Sequence, residues 1–177
     1  MPHGWITRRG TALLLASLPV TVGAVRAAAA PETIASTAPA GGVVLNTGLT
    51  RLILSGRMPV ADMLDALPPG RGLFLVLSDL HAKTAPGVIY DLYLDLPPGA
   101  APHAGWPGYV ASLNFFGAPQ GPRADRPRRV SYDVTNALER LRGRRVLSRD
   151  LTLTIVPEQP PDPEAQPAIG RIDLVVQ

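Results

Sequence analysis

The sequence predicts a mainly β protein: a small antiparallel β-sandwich of six to seven strands with two short helices in the connections. Three observations carry this expectation. Short apolar runs alternate with period two, as in Val88, Tyr90, Leu92 and Leu94 set against Asp91, Tyr93 and Asp95. Segments rich in Gly and Pro, of which the chain has 17 and 20, separate the runs. Only two stretches switch to a helical period. The 177 residues, 46% apolar, suit one core preceded by a leader.

Residues 1–29 read as a twin-arginine-like export signal. Arg8 and Arg9 supply the basic start, the apolar run spans Thr11 to Val25, and small residues at Ala27 to Ala29 fit cleavage after Ala29. The alternative is a retained N-terminal anchor, although the run is interrupted by Pro19 and falls short of the ~20 residues a span needs. Residues 30–42, small and without periodicity, are expected to form a flexible linker, with the folded domain covering 43–177.

Within that domain Leu49 to Ser55 is the first strand expected, ended by Gly56 and Pro59. Val60, Met63, Leu64 and Leu67 then fall on one face of a short helix that Pro59 opens. Gly72 to Ser78 is apolar without alternation, which predicts a strand covered on both faces at the centre of the sheet. The runs starting at Val88 and Tyr109 form an expected pair, and the second should turn Tyr109, Ala111, Leu113 and Phe115 to one face. Val130 to Asp133 adds a short strand before a second helix carrying Val134, Ala137, Leu138 and Leu141, with Asp133 as N-cap and Gly143 as C′ residue. The arginines at 140, 142, 144 and 145 suit the negative end of that helix. Asp150 to Val156 and Ala168 to Val176 close the chain as strands.

Composition narrows the chemistry. With no Cys, the chain has no thiolate nucleophile, disulfide or Cys-held cluster. The net charge of +3 comes from Arg8, Arg9 and Arg26 in the leader, so the rest of the chain is balanced and makes no case for nucleic acid. Ser78, Asp79 and His81 lie close in sequence but without a nucleophile elbow. His81 and His103, the two imidazoles beyond the leader, do not have metal-ligand spacing. Asp91 and Asp95 are expected to keep an outer strand face wet. We therefore expect no catalytic residues, no metal and no cofactor. In the loop from Pro97 to Gly108, His103 and Trp106 are the candidate partner contacts, with Trp106 folded back over the end of the sandwich as the competing placement.

Several stretches in order carry a family resemblance: F-L-V-L-S-D-L from Phe74, V-I-Y-D-L-Y-L-D-L-P-P-G, Y-V-A-S-L-N-F-F-G, S-Y-D-V-T-N-A-L-E-R-L, D-L-T-L-T-I-V-P and A-I-G-R-I-D-L-V-V. Over about residues 50–177 the series resembles the C-terminal β-sandwich domain of the tyrosinase and polyphenol oxidase family. In that family a separate helical domain holds two coppers on six His and oxidises phenols. This chain, with three His, has no such set. The resemblance implies a non-catalytic, periplasmic or secreted domain that associates with or shields a separately encoded tyrosinase-like copper oxidase. The alternative is a free-standing periplasmic ligand-binding or interaction module. Neither reading calls for nucleic acid, or for a membrane once the signal is removed.

Overall fold

Antiparallel pairing in the computed structural model, which describes residues 31–37, 42–45, 48–121 and 128–177, joins nine strands into a single sheet. The strands are β1 (Glu32–Thr37), β2 (Val43–Val44), β3 (Thr50–Gly56), β4 (Leu73–His81), β5 (Ile89–Leu94), β6 (Tyr109–Asn114), β7 (Arg129–Asp133), β8 (Leu151–Pro157) and β9 (Ala168–Val176). Helices α1 (Val60–Asp65) and α2 (Thr135–Gly143) lie in the connections. The order is β6-β5-β8-β3-β1-β9-β4-β7, with β2 added beside β9. Side chains bridge the two end strands: the Tyr132 hydroxyl donates to the Ser112 carbonyl (3.3 Å), and the Arg128 guanidinium donates to the Phe116 carbonyl and to Asn114 Oδ1. The sheet is thus a nearly closed barrel, and not the sandwich of six to seven strands expected. The export signal with Arg8 and Arg9 lies outside the described residues.

One apolar core fills the curl. Leu54, Leu75, Leu77, Leu92, Leu153, Ile172 and Leu174 are each 0 or 1% exposed. Both helices add their apolar faces to it through Val60, Leu64, Ala137, Leu138 and Leu141, at the spacing the sequence gives. Burial of such side chains, each worth about 1.5–3 kcal/mol, dominates the stability of the domain.

Several expectations are corrected. Residues 32–37, assigned to a flexible linker, form β1 and pair with both β3 and β9. Their composition is poor in apolar residues because backbone ladders on both sides hold them, and only Ala35 is buried. Strand β4 is covered on both faces as expected, with Val76 1% exposed, yet it lies one from the end of the sheet beside β7. Of Asp91 and Asp95, only Asp91 is partly open to solvent; Asp95 is 6% exposed and does not wet the outer face. At α2 the N-cap position is Val134 and not Asp133, whose carboxylate accepts the Thr135 N–H (2.9 Å); Gly143 remains helical, and the left-handed residue after the helix is Arg145 (φ +58°). Val146 N–H to Leu141 O (3.0 Å) and Arg145 N–H to Arg142 O (2.9 Å) complete a Schellman ending there.

Candidate interaction surface

Strand β5 turns Tyr90, Leu92 and Leu94 into the core and Ile89, Asp91 and Tyr93 outward. Its neighbour β6 runs in register through Ile89↔Asn114, Tyr90↔Leu113, Asp91↔Ser112 and Leu92↔Ala111, and then slips, so that Tyr93 faces Tyr109. Val110 is the extra residue of this bulge, and it packs against the core. Tyr109, expected inward, is turned outward instead.

The outcome is a polar cluster on the outer face. Asp91 accepts hydrogen bonds from Ser112 Oγ (2.8 Å), the Tyr93 hydroxyl (3.3 Å) and the Tyr109 hydroxyl (3.4 Å). The two rings lie 5.4 Å apart at 53°. Burial, with the Asp91 charge second, pushes the Tyr93 phenol up to about 12. Tyr93 is therefore a neutral hydrogen-bond donor throughout the physiological range.

Beyond the cluster the surface becomes apolar. Ile89 is 41% exposed and pairs with the exposed Asn114. Phe115 turns inward, its ring edge-on to Tyr90 at 5.6 Å, while Phe116 stands 90% exposed. A tight turn holds it there. Ala118 N–H donates to Phe115 O (2.9 Å), and Gly117 takes the left-handed third position (φ +68°) that a type II turn requires. The Phe116 N–H donates to Asn114 Oδ1 (3.2 Å), and its carbonyl accepts from Arg128. With its backbone tied at both ends, Phe116 is a presented aromatic.

The residues singled out from sequence lie elsewhere. Trp106 is half-buried against the core and its indole N–H donates to Leu94 O (2.9 Å), as in the folded-back placement; His103 is exposed beside it. His81 Nδ1 is 2.9 Å from the Asp79 carbonyl and 3.8 Å from Asp79 Oδ1, and among the described residues no hydrogen bond joins Ser78 to His81. Among the described residues no three His, Asp or Glu gather as a metal site. A depression of about 460 Å³ beside β2 is lined by Val44, Leu45, Pro161, Pro163 and Pro167, with Asp162 and Gln166 as its polar side chains. Phe116 was overlooked because alternation assigns only Phe115; the signal was Gly117, which marks a turn immediately after two aromatics.

Residues 57–177 match the family model described as Domain of unknown function (DUF7868). No curated protein sequence matches. Among solved structures the chain is similar to latent aurone synthase, a polyphenol oxidase, from natural source (12% identity, TM-score 0.49, 75% of this chain). It is also similar to the recombinantly expressed latent enzyme (14% identity, TM-score 0.48, 76% of this chain). It spans 25% of the length of those chains.

Proposed function

The chain belongs to the DUF7868 family, and from that premise we propose that it is an exported, non-catalytic docking domain that covers or accompanies a separately encoded tyrosinase-like copper oxidase. Phe116 carries the reading. Burying a Phe side chain stabilises a complex by about 1.5–3 kcal/mol, and a turn that already fixes it avoids the entropy cost of ordering a loop on binding. Ile89 and Asn114 supply a rim to this anchor, the arrangement of an interaction hot spot. The ordered stretches that resemble the tyrosinase C-terminal domain point to the class of partner, and Arg8-Arg9 with the following apolar run points to export.

The test mixes the purified domain with a purified tyrosinase-type oxidase of the same organism and follows catechol oxidation. Turnover is expected to fall saturably, with Phe116→Ala shifting the half-effect concentration at least roughly tenfold, as loss of a hot-spot aromatic does. The variant's melting temperature should match the parent's, because an exposed side chain is worth within about 0.5 kcal/mol to the fold. Unchanged turnover together with no complex on size-exclusion chromatography overturns the reading. For export, Arg8→Lys with Arg9→Lys should leave precursor in the cytoplasm, and normal processing of that double variant would reject the twin-arginine route.

A further inference from the structure

The Asp91 carboxylate differs from the buried carboxylates Asp173 and Asp95. Asp173 pairs with Arg171 (2.8 Å), and Asp95 accepts two backbone N–H groups, from Ser148 (2.7 Å) and Thr152 (2.8 Å). Among the described residues no Lys, Arg or His forms an ion pair with Asp91. Its partners are three neutral hydroxyls, and the two phenolic contacts, at 3.3 and 3.4 Å, are beyond the usual O–H···O range. A carboxylate offers about four acceptor positions, so at least one remains open, and the long bonds leave room for a stronger donor to replace them.

The surroundings define that donor. Tyr93 and Tyr109 place aromatic rings beside the carboxylate, Tyr109 is only half-covered, and Ser112 on the neighbouring strand is exposed, so the carboxylate is reached from solvent. A negative oxygen pair next to aromatic rings favours a cation, by charge and by the attraction of a cation to a ring. We propose that Asp91, flanked by Tyr93 and Tyr109, is the acceptor for a cationic side chain, a guanidinium or an ammonium, presented by the protein that docks on Phe116. The inference rests on the docking reading for its occupant: Ser112, Asn114 and Ile89 connect the cluster to the Phe116 turn along the β5–β6 face. Phe116 then supplies the apolar anchor and Asp91 the polar contact that fixes orientation.

The test needs no partner. Chemical shifts of the purified domain are followed while N-acetyl-arginine amide is added, and again with N-acetyl-citrulline amide, its uncharged isostere. The arginine probe should shift Asp91, Tyr109 and Ser112 saturably in the millimolar range, with citrulline and the Asp91→Asn variant each at least roughly tenfold weaker, as a single partly exposed charge and ring contact provide. Absence of saturable shifts, equal shifts with citrulline, or equal shifts in Asp91→Asn overturns the proposal. Because the oxidase assay reads Phe116 and the titration reads Asp91, either result can fail alone.

Discussion

Along β4 and β9 the side-chain alternation breaks on both strands at one level, whereas between β5 and β6 the break falls on β6 alone. On β4 the core residues run Leu75, Leu77 and then Leu80; on β9 they run Leu174, Ile172 and then Ile169. Each strand skips one position, at Asp79 (φ +55°) and Gly170, and the register on either side is kept. The matched break keeps a charged residue out of the core. Between β5 and β6 the single extra residue, Val110, changes the register and turns Tyr109 outward beside Tyr93. The matched irregularity serves packing, and the one-sided irregularity builds a surface. Changes at the first should therefore act on stability, and changes at the second on binding.

The sharpest way to break this comparison is Gly170→Ala. A Cβ there would lie 2.7 Å from Asp79 Oδ2 and 2.8 Å from Asp79 Cβ, and neither strand can move without disturbing its ladder. A loss of about 3 kcal/mol is expected, the upper part of the range for overpacking, read as a lower urea midpoint. Asp79→Gly in the same chain should restore most of it, because the clash is removed and Gly accepts φ +55° without strain. If the single variant is as stable as the parent, the matched break is not a packing device.

How much of this was legible follows from what alternation can record. Leu92, Leu94, Leu113 and Phe115 were readable as inward residues because period two survives wherever the ladder is regular. The Val110 bulge was not: a one-residue insertion leaves composition unchanged, and here it turns Tyr109, just before it, to the other face. Strand β1 escaped because Glu32 to Thr37 is held by backbone pairing on both sides and contributes one buried side chain. The left-handed Arg145 escaped because the usual signal for that conformation is Gly, Asn or Asp.

Asp95 gives the next largest effect, and it sits where the two kinds of region meet, at the end of β5. Its carboxylate ties down the chain at Ser148 and Thr152. Asp95→Ala leaves both N–H groups unpaired and should cost about 2 kcal/mol. Burial raises the Asp95 carboxyl above the ordinary range, although the N–H groups of Ser148 and Thr152 oppose the shift. A raised folded value means that the native state takes up this proton at higher pH than the unfolded chain. Asp95 thus adds stability as pH falls through the raised value toward the ordinary carboxylate range, and loses it as pH rises. The deficit of Asp95→Ala, from thermal melts, should widen between pH 7 and pH 4. A deficit that narrows would mean the two N–H bonds outweigh burial.

The smallest effect separates the two faces of β5 itself. Tyr93 and Tyr109 on the outer face share Asp91, while the Tyr90 hydroxyl on the inner face is fully buried and has no hydrogen-bond partner among the described residues. A buried hydroxyl that lost its water without a replacement opposes folding, so Tyr90→Phe should stabilise the domain by about 1 kcal/mol at pH 7. The ring stays, and with it the edge-on contact to Phe115 at 5.6 Å. The gain should grow in alkali. Burial pushes the Tyr90 phenol up to about 12, so between about pH 10 and 12 the unfolded chain sheds a proton that the native state keeps. The parent loses stability across that window through both Tyr90 and Tyr93, and the variant through Tyr93 alone. Urea unfolding of parent and variant at pH 7 and pH 11 reads both points. A variant less stable than the parent at pH 7 would mean the inner hydroxyl is satisfied within the core, and the contrast between the two faces of β5 would fail.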